Sequence, residues 1–100
     1  MKLTKEQMLQ QGNVAFNEGI FAKAEGFYRD ILKIQPRNPD ANHNLGVLEL
    51  AINGSESAFI LPLFKLAIDV NPNKEQFWIS YIDALIKKNQ PKKAEENYKK

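Results

Sequence analysis

Residues 38–55 of the chain read NPDANHNLGVLELAINGS, and their apolar residues recur at spacings of three and four. That spacing predicts an amphipathic helix. Asn38 is suited to cap the N-terminus of this helix, and Pro39 fits its first position. Gly46 falls in the middle of the predicted helix, where glycine costs about 1 kcal/mol relative to alanine. We therefore expect another backbone to pass Gly46 so closely that no side chain would fit between them.

Helical spacing continues along the rest of the chain, and no segment alternates strictly enough between polar and apolar residues to indicate a strand. Proline and asparagine interrupt the spacing near residues 35–39, 53–55, 71–73 and 89–91. The sequence therefore predicts an all-α fold of about six helices. Their predicted bounds are residues 4–18, 21–34, 39–52, 56–70, 74–88 and 91–100.

Two local features of these helices can be predicted in more detail. Thr4 and Gln7 have the spacing of a capping box, in which each side chain accepts a hydrogen bond from the backbone N–H of the other residue. Pro62 falls inside the fourth predicted helix, where we expect it to remove one backbone hydrogen bond and leave a bend near the first turns.

The predicted helices form pairs that recur at a nearly constant interval. Gly12 and Gly46 are 34 residues apart, and each lies in the middle of the first helix of a pair. Pro36 and Pro72, which end the first two pairs, are 36 residues apart. A helix pair that recurs every 34–36 residues is typical of stacked repeats.

The residues at this interval resemble the repeat of the tetratricopeptide (TPR) family, of bacterial type, over the whole chain. The family pattern has a period of about 34 residues and reads W-x2-L-G-x2-Y, then A-x3-F, then a closing proline. The chain aligns with about two and two-thirds repeats, at residues 5–38, 39–72 and 75–100. The matching residues are Gly12, Ala24, Tyr28 and Pro36 in the first repeat, Leu45, Gly46, Phe64 and Pro72 in the second, and Trp78, Ala94 and Tyr98 in the third. The third repeat has Ile82 where the pattern has glycine, and it stops before the closing proline.

This resemblance implies one domain over residues 1–100, folded as an α-α superhelix, a solenoid of stacked antiparallel helix pairs. It implies packing roles for Gly12, Ala24, Tyr28, Gly46, Phe64, Trp78, Ala94 and Tyr98. We expect Gly12, Gly46 and Ala24 to be the close contacts between helices of adjacent pairs. We expect Trp78 to pack in the core, between the two helices of its own pair.

The resemblance also implies a concave groove, lined by the first helix of each pair, where family members typically hold peptide segments of other proteins. The groove candidates are Leu9, Asn13, Asn17, His43, Asn44, Val47, Ile79, Ser80 and Asp83. Their mixture of apolar side chains and amides suits a peptide that offers both side chains and backbone hydrogen bonds.

The composition offers little for catalysis or metal binding. The chain has no cysteine, which excludes disulfides and thiolate zinc sites, and His43 is its single histidine. Its glycines do not form a phosphate-binding loop. We therefore predict that the chain is not an enzyme and that it has no catalytic residues, no metal site and no cofactor.

Charge and hydropathy narrow the class of partner. The formal net charge is +2, too small to indicate a nucleic-acid binder, and lysines at the C-terminal ends of helices complement the helix dipole. The sequence contains neither the apolar core of a signal peptide nor an apolar run long enough to span a bilayer. We expect no nucleic-acid or membrane partner and a cytoplasmic location.

The function that these observations favour is a non-catalytic protein–protein interaction module, or scaffold, that holds a peptide of a partner protein in the groove. Glu6, Asp40 and Asp83 give the predicted groove negative charge, and Lys87 is its positive residue. We therefore expect an apolar or basic peptide rather than an acidic one.

The resemblance argues against one family ligand, the acidic C-terminal tail of chaperones. Members that bind such tails use two asparagines and three basic residues. Asn13 and Asn44 match the asparagines, but Leu9, Gln76 and Ser80 stand at the basic positions. A peptide carboxylate would have no charged partner there.

Two alternatives remain open on the sequence. The third repeat has no polar capping helix, which terminal repeats usually need, so the chain could self-assemble into a homo-oligomeric scaffold. Residues 77–90, FWISYIDALIKKNQ, resemble bacterial repeat segments that precede glycosyltransferase or sulfotransferase domains. On that reading the chain is the N-terminal interaction domain of a larger transferase.

Overall fold

Helices account for most of the chain. The computed structural model describes the backbone of residues 2–99 and the side chains of residues 2–89. Over those residues it contains five α-helices and no strand. The helices are α1 (Lys5–Asn17), α2 (Phe21–Ile34), α3 (Pro39–Asn53), α4 (Ile60–Val70) and α5 (Glu75–Lys99). Each packs against the next along the chain, so the helices are arranged in adjacent pairs. The predicted all-α fold is confirmed, and the predicted count of six helices is wrong.

The predicted caps of α1 and α3 are confirmed. Thr4 Oγ1 accepts a hydrogen bond from the backbone N–H of Gln7 at 3.1 Å, and Gln7 Oε1 accepts one from the backbone N–H of Thr4 at 2.8 Å. Asn38 Oδ1 accepts from the backbone N–H of Ala41 at 2.8 Å, and Pro39 is the first residue of α3. Both caps satisfy N–H groups that have no partner inside the helix.

The start of α4 differs from the prediction. Residues 54–59 form turns, and the helix begins at Ile60 instead of residue 56. Pro62 is therefore the third helical residue, in the first turn, where a backbone N–H has no partner within the helix. The first bond of this helix runs from the N–H of Leu63 to the carbonyl oxygen of Phe59, at 3.3 Å. Pro62 consequently removes no helical hydrogen bond, and that prediction is wrong.

The predicted break near residue 90 does not occur. α5 runs from Glu75 to Lys99 and includes Pro91, so residues 91–99 of the predicted sixth helix are a continuation of α5. Pro91 deletes one backbone hydrogen bond. Its neighbours are mostly lysine, alanine and glutamate, which favour helix, and no glycine is present there to reverse the chain. The packing roles predicted for Ala94 and Tyr98 lie outside the residues whose side chains are described.

In each of the first two pairs, a glycine of the first helix lies against an aromatic ring of the second. A Cβ atom added to Gly12 would lie 2.6 Å from Cε1 of Tyr28, and one added to Gly46 would lie 2.6 Å from Cε1 of Phe64. Both rings are buried. The expectation of a backbone passing close by from an adjacent pair is therefore wrong. The close neighbour is a ring of the second helix in the same pair.

Ala24 is fully buried, in a cluster that includes Leu45 and Leu48 of α3. This cluster joins the first pair of helices to the start of the second. Phe64 and Ile60 of α4 form another cluster with Ala84 of α5. The core thus consists of clusters that lie where neighbouring helices meet.

Trp78 does not pack in the core, which corrects the prediction for this residue. Its side chain is 42% exposed, whereas the neighbouring Phe77 is 1% exposed and packs with Ala67 and Ile68 of α4. The indole N–H of Trp78 donates to the carbonyl oxygen of Pro72 at 2.7 Å. Since α5 continues as one helix, no antiparallel partner formed by residues 91–99 packs over Trp78.

The same face of α5 carries further exposed apolar side chains. Ile79, Ile82 and Ile86 are 49%, 51% and 47% exposed. Together with Trp78 they follow helical spacing along the side of α5 that α4 leaves open. We call these four residues the α5 stripe.

Candidate functional site

A cleft of 390 Å³ lies across α1, α3 and the start of α5. Its lining residues, which define what we call the amide cleft, are Asn13, Phe16, Asn17, Tyr28, His43, Asn44, Val47 and Gln76. A recess of 250 Å³ adjoins it and shares four of these residues. Leu9, Asp40, Lys74 and Phe77 complete the lining of the recess. Together they form a surface that combines amide groups with apolar side chains.

Two hydrogen bonds fix the orientation of Asn13 at the centre of the amide cleft. The hydroxyl of Tyr28 donates to Asn13 Oδ1 at 2.6 Å, and Nδ2 of Asn44 donates to the same oxygen at 2.9 Å. Both lone pairs of that oxygen are then used. The NH₂ group of Asn13, a hydrogen-bond donor, takes part in neither of these two bonds.

His43 connects α3 to α5. Its Nδ1 lies 2.9 Å from Asn44 Oδ1, and its Nε2 lies 2.7 Å from Ser80 Oγ. Ser80 Oγ in turn accepts a hydrogen bond from Nε2 of Gln76 at 3.1 Å. The imidazole ring also packs against Phe77, with ring centroids 4.9 Å apart. His43 is buried, with 7% of its surface exposed.

The surroundings of His43 favour the neutral ring. Burial lowers its pKa below the ordinary value of 6.5; the hydrogen bond with Asn44 opposes this shift, Lys74 adds to it and Asp40 opposes it. Asn44 Oδ1 can only accept, so the neutral ring carries its proton on Nδ1 and accepts the hydroxyl proton of Ser80 at Nε2. Every hydrogen bond from Gln76 to Asn13 then has one defined direction.

Ser80, His43 and Asn44 follow one another in the order of a nucleophile, a base and an orienting group. A hydrolytic site also needs hydrogen-bond donors aimed at the oxyanion that forms. Ser80 lies inside α5, where neighbouring backbone N–H groups belong to the helix, and its hydroxyl oxygen already accepts from Gln76. We therefore interpret the three side chains as a structural link between α3 and α5.

An ion pair borders the recess beside the amide cleft. Lys74 Nζ lies 2.7 Å from Asp40 Oδ1 and 4.9 Å from the centroid of the Phe77 ring. The pair joins the start of α3 to the residue just before α5. Both side chains are partly exposed, so the pair contributes about 0–1 kcal/mol to stability. Its effect on the recess is to neutralise much of the charge of Asp40.

Six of the nine predicted groove residues line the two depressions. These are Leu9, Asn13, Asn17, His43, Asn44 and Val47. Ser80 reaches the same surface through its hydrogen bond to His43. Ile79 and Asp83 do not line it. Ile79 belongs to the α5 stripe, and Asp83 pairs with Lys87 along α5 at 3.0 Å.

Tyr28, Lys74 and Phe77 line this surface, although the sequence does not predict them as groove residues. The sequence predicts a packing role for Tyr28, whose hydroxyl distinguishes it from the phenylalanine of the family pattern. Lys74 lies just before α5 and Phe77 lies in its first turn, and no motif marks them as groove residues. Their roles follow from how α5 packs on α4 and α3.

The chain matches no protein-family model, and no curated protein matches it. Among the residues whose side chains are described, no three or more histidine or acidic side chains come together in a way that could hold a metal ion. None of the helices, over the described part of the chain, has the length and apolarity needed to cross a membrane.

Proposed function

We propose that this chain is a non-catalytic interaction module of the TPR type, a short superhelical stack that holds a peptide segment of a partner protein in the amide cleft. The observation that carries the proposal is the orientation of Asn13. Tyr28 and Asn44 occupy its oxygen, so its NH₂ group is available to a backbone carbonyl of a bound peptide. The repeated glycine and aromatic contacts of the two pairs support the repeat architecture.

The cleft has the polar and apolar groups that an extended peptide requires. Asn17 and Gln76 are exposed and offer further amide groups at its two sides. Phe16 and Val47 are half-buried and supply apolar surface between them. Backbone hydrogen bonds then hold the peptide in position, and its apolar side chains contribute affinity by leaving water.

Charge contributes less to the choice of peptide than the sequence alone suggests. Lys74 pairs with Asp40, and Lys87 pairs with Asp83, which leaves Glu6 as the acidic groove position without an ion pair among the described side chains. We propose a peptide that is uncharged or apolar in its central part. An acidic tail remains disfavoured, because Lys74 is the one cation lining the described cleft and recess, and Asp40 already binds it.

Selection from a random peptide library on the immobilised chain tests the proposal. A selected peptide is then titrated against the parent chain, Asn13→Ala, Asn17→Ala and a control, Asn53→Ala, whose amide lies at the end of α3 and contacts Glu49. We expect Asn13→Ala to weaken binding about tenfold, the effect of one lost hydrogen bond, and Asn53→Ala to leave it unchanged. Asn17→Ala removes a cleft amide without touching the hydrogen bonds of Asn13.

Two results would contradict the proposal. The library could yield no enriched peptide, or the selected peptide could bind the Asn13→Ala and Asn17→Ala variants as tightly as the parent. A third arm uses a peptide that ends in clustered glutamate and aspartate, for which we expect no micromolar binding at physiological salt.

A further inference from the structure

The α5 stripe corresponds in position to a face of α3, and that face of α3 contacts α4, the second helix of its pair. Leu48 of α3 and Ala84 of α5 are 36 residues apart, and each is buried against the pair that precedes it. By the same offset Ile82 corresponds to Gly46, which lies against Phe64 of α4. Ile82 has no corresponding helix over the described residues and is 51% exposed.

The chain's own C-terminal segment does not cover the stripe. α5 continues unbroken to Lys99, so residues 91–99 extend away instead of folding back. The side chain at position 82 also opposes such a fold. In the first two pairs a Cβ at the matching glycine would lie 2.6 Å from the ring of the second helix. An isoleucine there excludes a ring packed in the same geometry.

We propose that a second copy of the chain covers the α5 stripe, with the two α5 helices antiparallel and the two Ile82 side chains at the twofold axis. Trp78 and Ile86 are each four residues from Ile82, so the axis places Trp78 of one copy against Ile86 of the other. A twofold interface must be self-complementary in this way, because the same surface serves both copies. Ile79 flanks the same contact.

The charges of α5 select the antiparallel arrangement. With Ile82 at the axis, residue 75 of one antiparallel helix lies level with residue 89 of the other. Glu75 of each copy then lies close to the level of Lys87 and Lys88 of the other copy. Parallel helices would bring like charges together, which is unfavourable. The dipoles of antiparallel helices also oppose each other favourably.

The stripe and the amide cleft share no residue. Self-association therefore does not depend on the proposed function, and either can fail without the other. A variant of the stripe should keep its peptide affinity, and a variant of the cleft should keep its mass in solution.

Sedimentation equilibrium over a wide concentration range measures the association directly. We expect a dimer at high concentration, and a monomer at every concentration for Ile82→Lys. The matched control is Ile52→Lys, since Ile52 is a similarly exposed isoleucine, 46% exposed, on α3. It should dimerise like the parent. Circular dichroism shows that the variants stay helical. A parent chain that is monomeric throughout, or an Ile82→Lys variant that still dimerises, overturns the proposal.

Cysteine cross-linking tests the orientation, and the chain contains no cysteine that would interfere. Ile82→Cys at the axis should form a disulfide-linked dimer on mild oxidation. Glu75→Cys should not, because in antiparallel helices the two cysteines lie about 21 Å apart along the helix axis, at about 1.5 Å per residue. Parallel helices would cross-link both variants, and that result would contradict the proposed arrangement.

Discussion

The hydroxyl of Tyr28 donates a hydrogen bond to Asn13 Oδ1 at 2.6 Å. A core side chain of α2 therefore orients an amide of the cleft on α1. Burial raises the pKa of Tyr28 to about 12. The hydroxyl therefore keeps its proton and stays a donor at any pH in ordinary use. Phe64, which fills the same place in the second pair, has no hydroxyl. The first pair thus couples the packing of its core to the geometry of the cleft.

Replacing Tyr28 by phenylalanine should separate these two roles. The ring that fills the space beside Gly12 is kept, and one hydrogen bond is lost. We expect the free energy of unfolding to fall by about 1 kcal/mol. Peptide binding should weaken, because Asn13 loses one of the two donors that orient it. Urea denaturation and peptide titration measure the two effects. A loss of stability as large as that of a core truncation would show that the ring itself had moved.

The glycines of the helices should respond to alanine with opposite signs. Gly46→Ala places a methyl group 2.6 Å from the buried ring of Phe64, so we expect a loss of about 1–3 kcal/mol from overpacking. Gly26→Ala is the matched control. It lies within α2 and has no atom within 4 Å of an added Cβ, so it should gain about 0.5–1 kcal/mol.

Thermal or urea denaturation of the two variants decides this prediction, and Gly46→Leu should cost still more than Gly46→Ala. A Gly46→Leu variant that unfolds at or above the temperature of the parent would contradict the close contact with Phe64.

Stability should fall as the pH drops through the ordinary pKa of histidine. The folded chain holds His43 with a lowered pKa, so between its folded pKa and about pH 6.5 the unfolded state binds more protons. The contribution of His43 to the free energy of unfolding is therefore greatest above that range and decreases as the pH falls. His43 is the single histidine, and Asp40 and Lys74 are the nearby charges.

The comparison for this effect is His43→Gln, measured by urea denaturation at several pH values from 8 to 5. The variant is less stable overall, since it disrupts the bonds to Asn44 and Ser80, but its stability should change less over this range. An unaltered pH dependence would assign the effect to other groups.

Phe77 should contribute more to stability than Trp78, although the sequence predicts a core position for Trp78. Phe77 is 1% exposed, and its truncation to alanine should cost about 3–5 kcal/mol. Trp78 is 42% exposed, and its truncation should cost much less. Denaturation at low protein concentration, where self-association does not add to stability, measures both. Equal losses would mean that Trp78 is buried in the core.

Local chemistry made much of the fold predictable. Thr4 and Asn38 mark helix starts through hydrogen bonds within a few residues, so their roles can be inferred without knowledge of the tertiary structure. The start of α4 and the continuity of α5 are different. They depend on whether residues 54–59 and 89–91 form a turn or a helix. A proline lies in or near each segment, and proline is compatible with a turn and with a helix. Pro91 resembled a helix start, yet it lies inside a helix.

The candidate site shows the same division. The resemblance to the TPR repeat predicted Asn13 and Asn44 as groove residues, and both line the cleft. The rotation of α5 about its axis follows from the packing of Phe77 on α4, which the sequence did not indicate, and it leaves Ile79 and Asp83 outside the lining of the cleft and the recess. The repeat pattern does not predict the role of the Tyr28 hydroxyl, because tyrosine and phenylalanine fill that packing position equally well.

The hydrogen bonds that run from Gln76 through Ser80, His43 and Asn44 to Asn13 have a mechanical consequence. Turning over the amide of Asn44 would set donor against donor at His43 and acceptor against acceptor at Asn13. The three helices therefore cannot slide past one another by part of a turn and find new partners gradually. These bonds should resist a bending or stretching force on the helices until one of them breaks. The chain should then extend in a step rather than gradually.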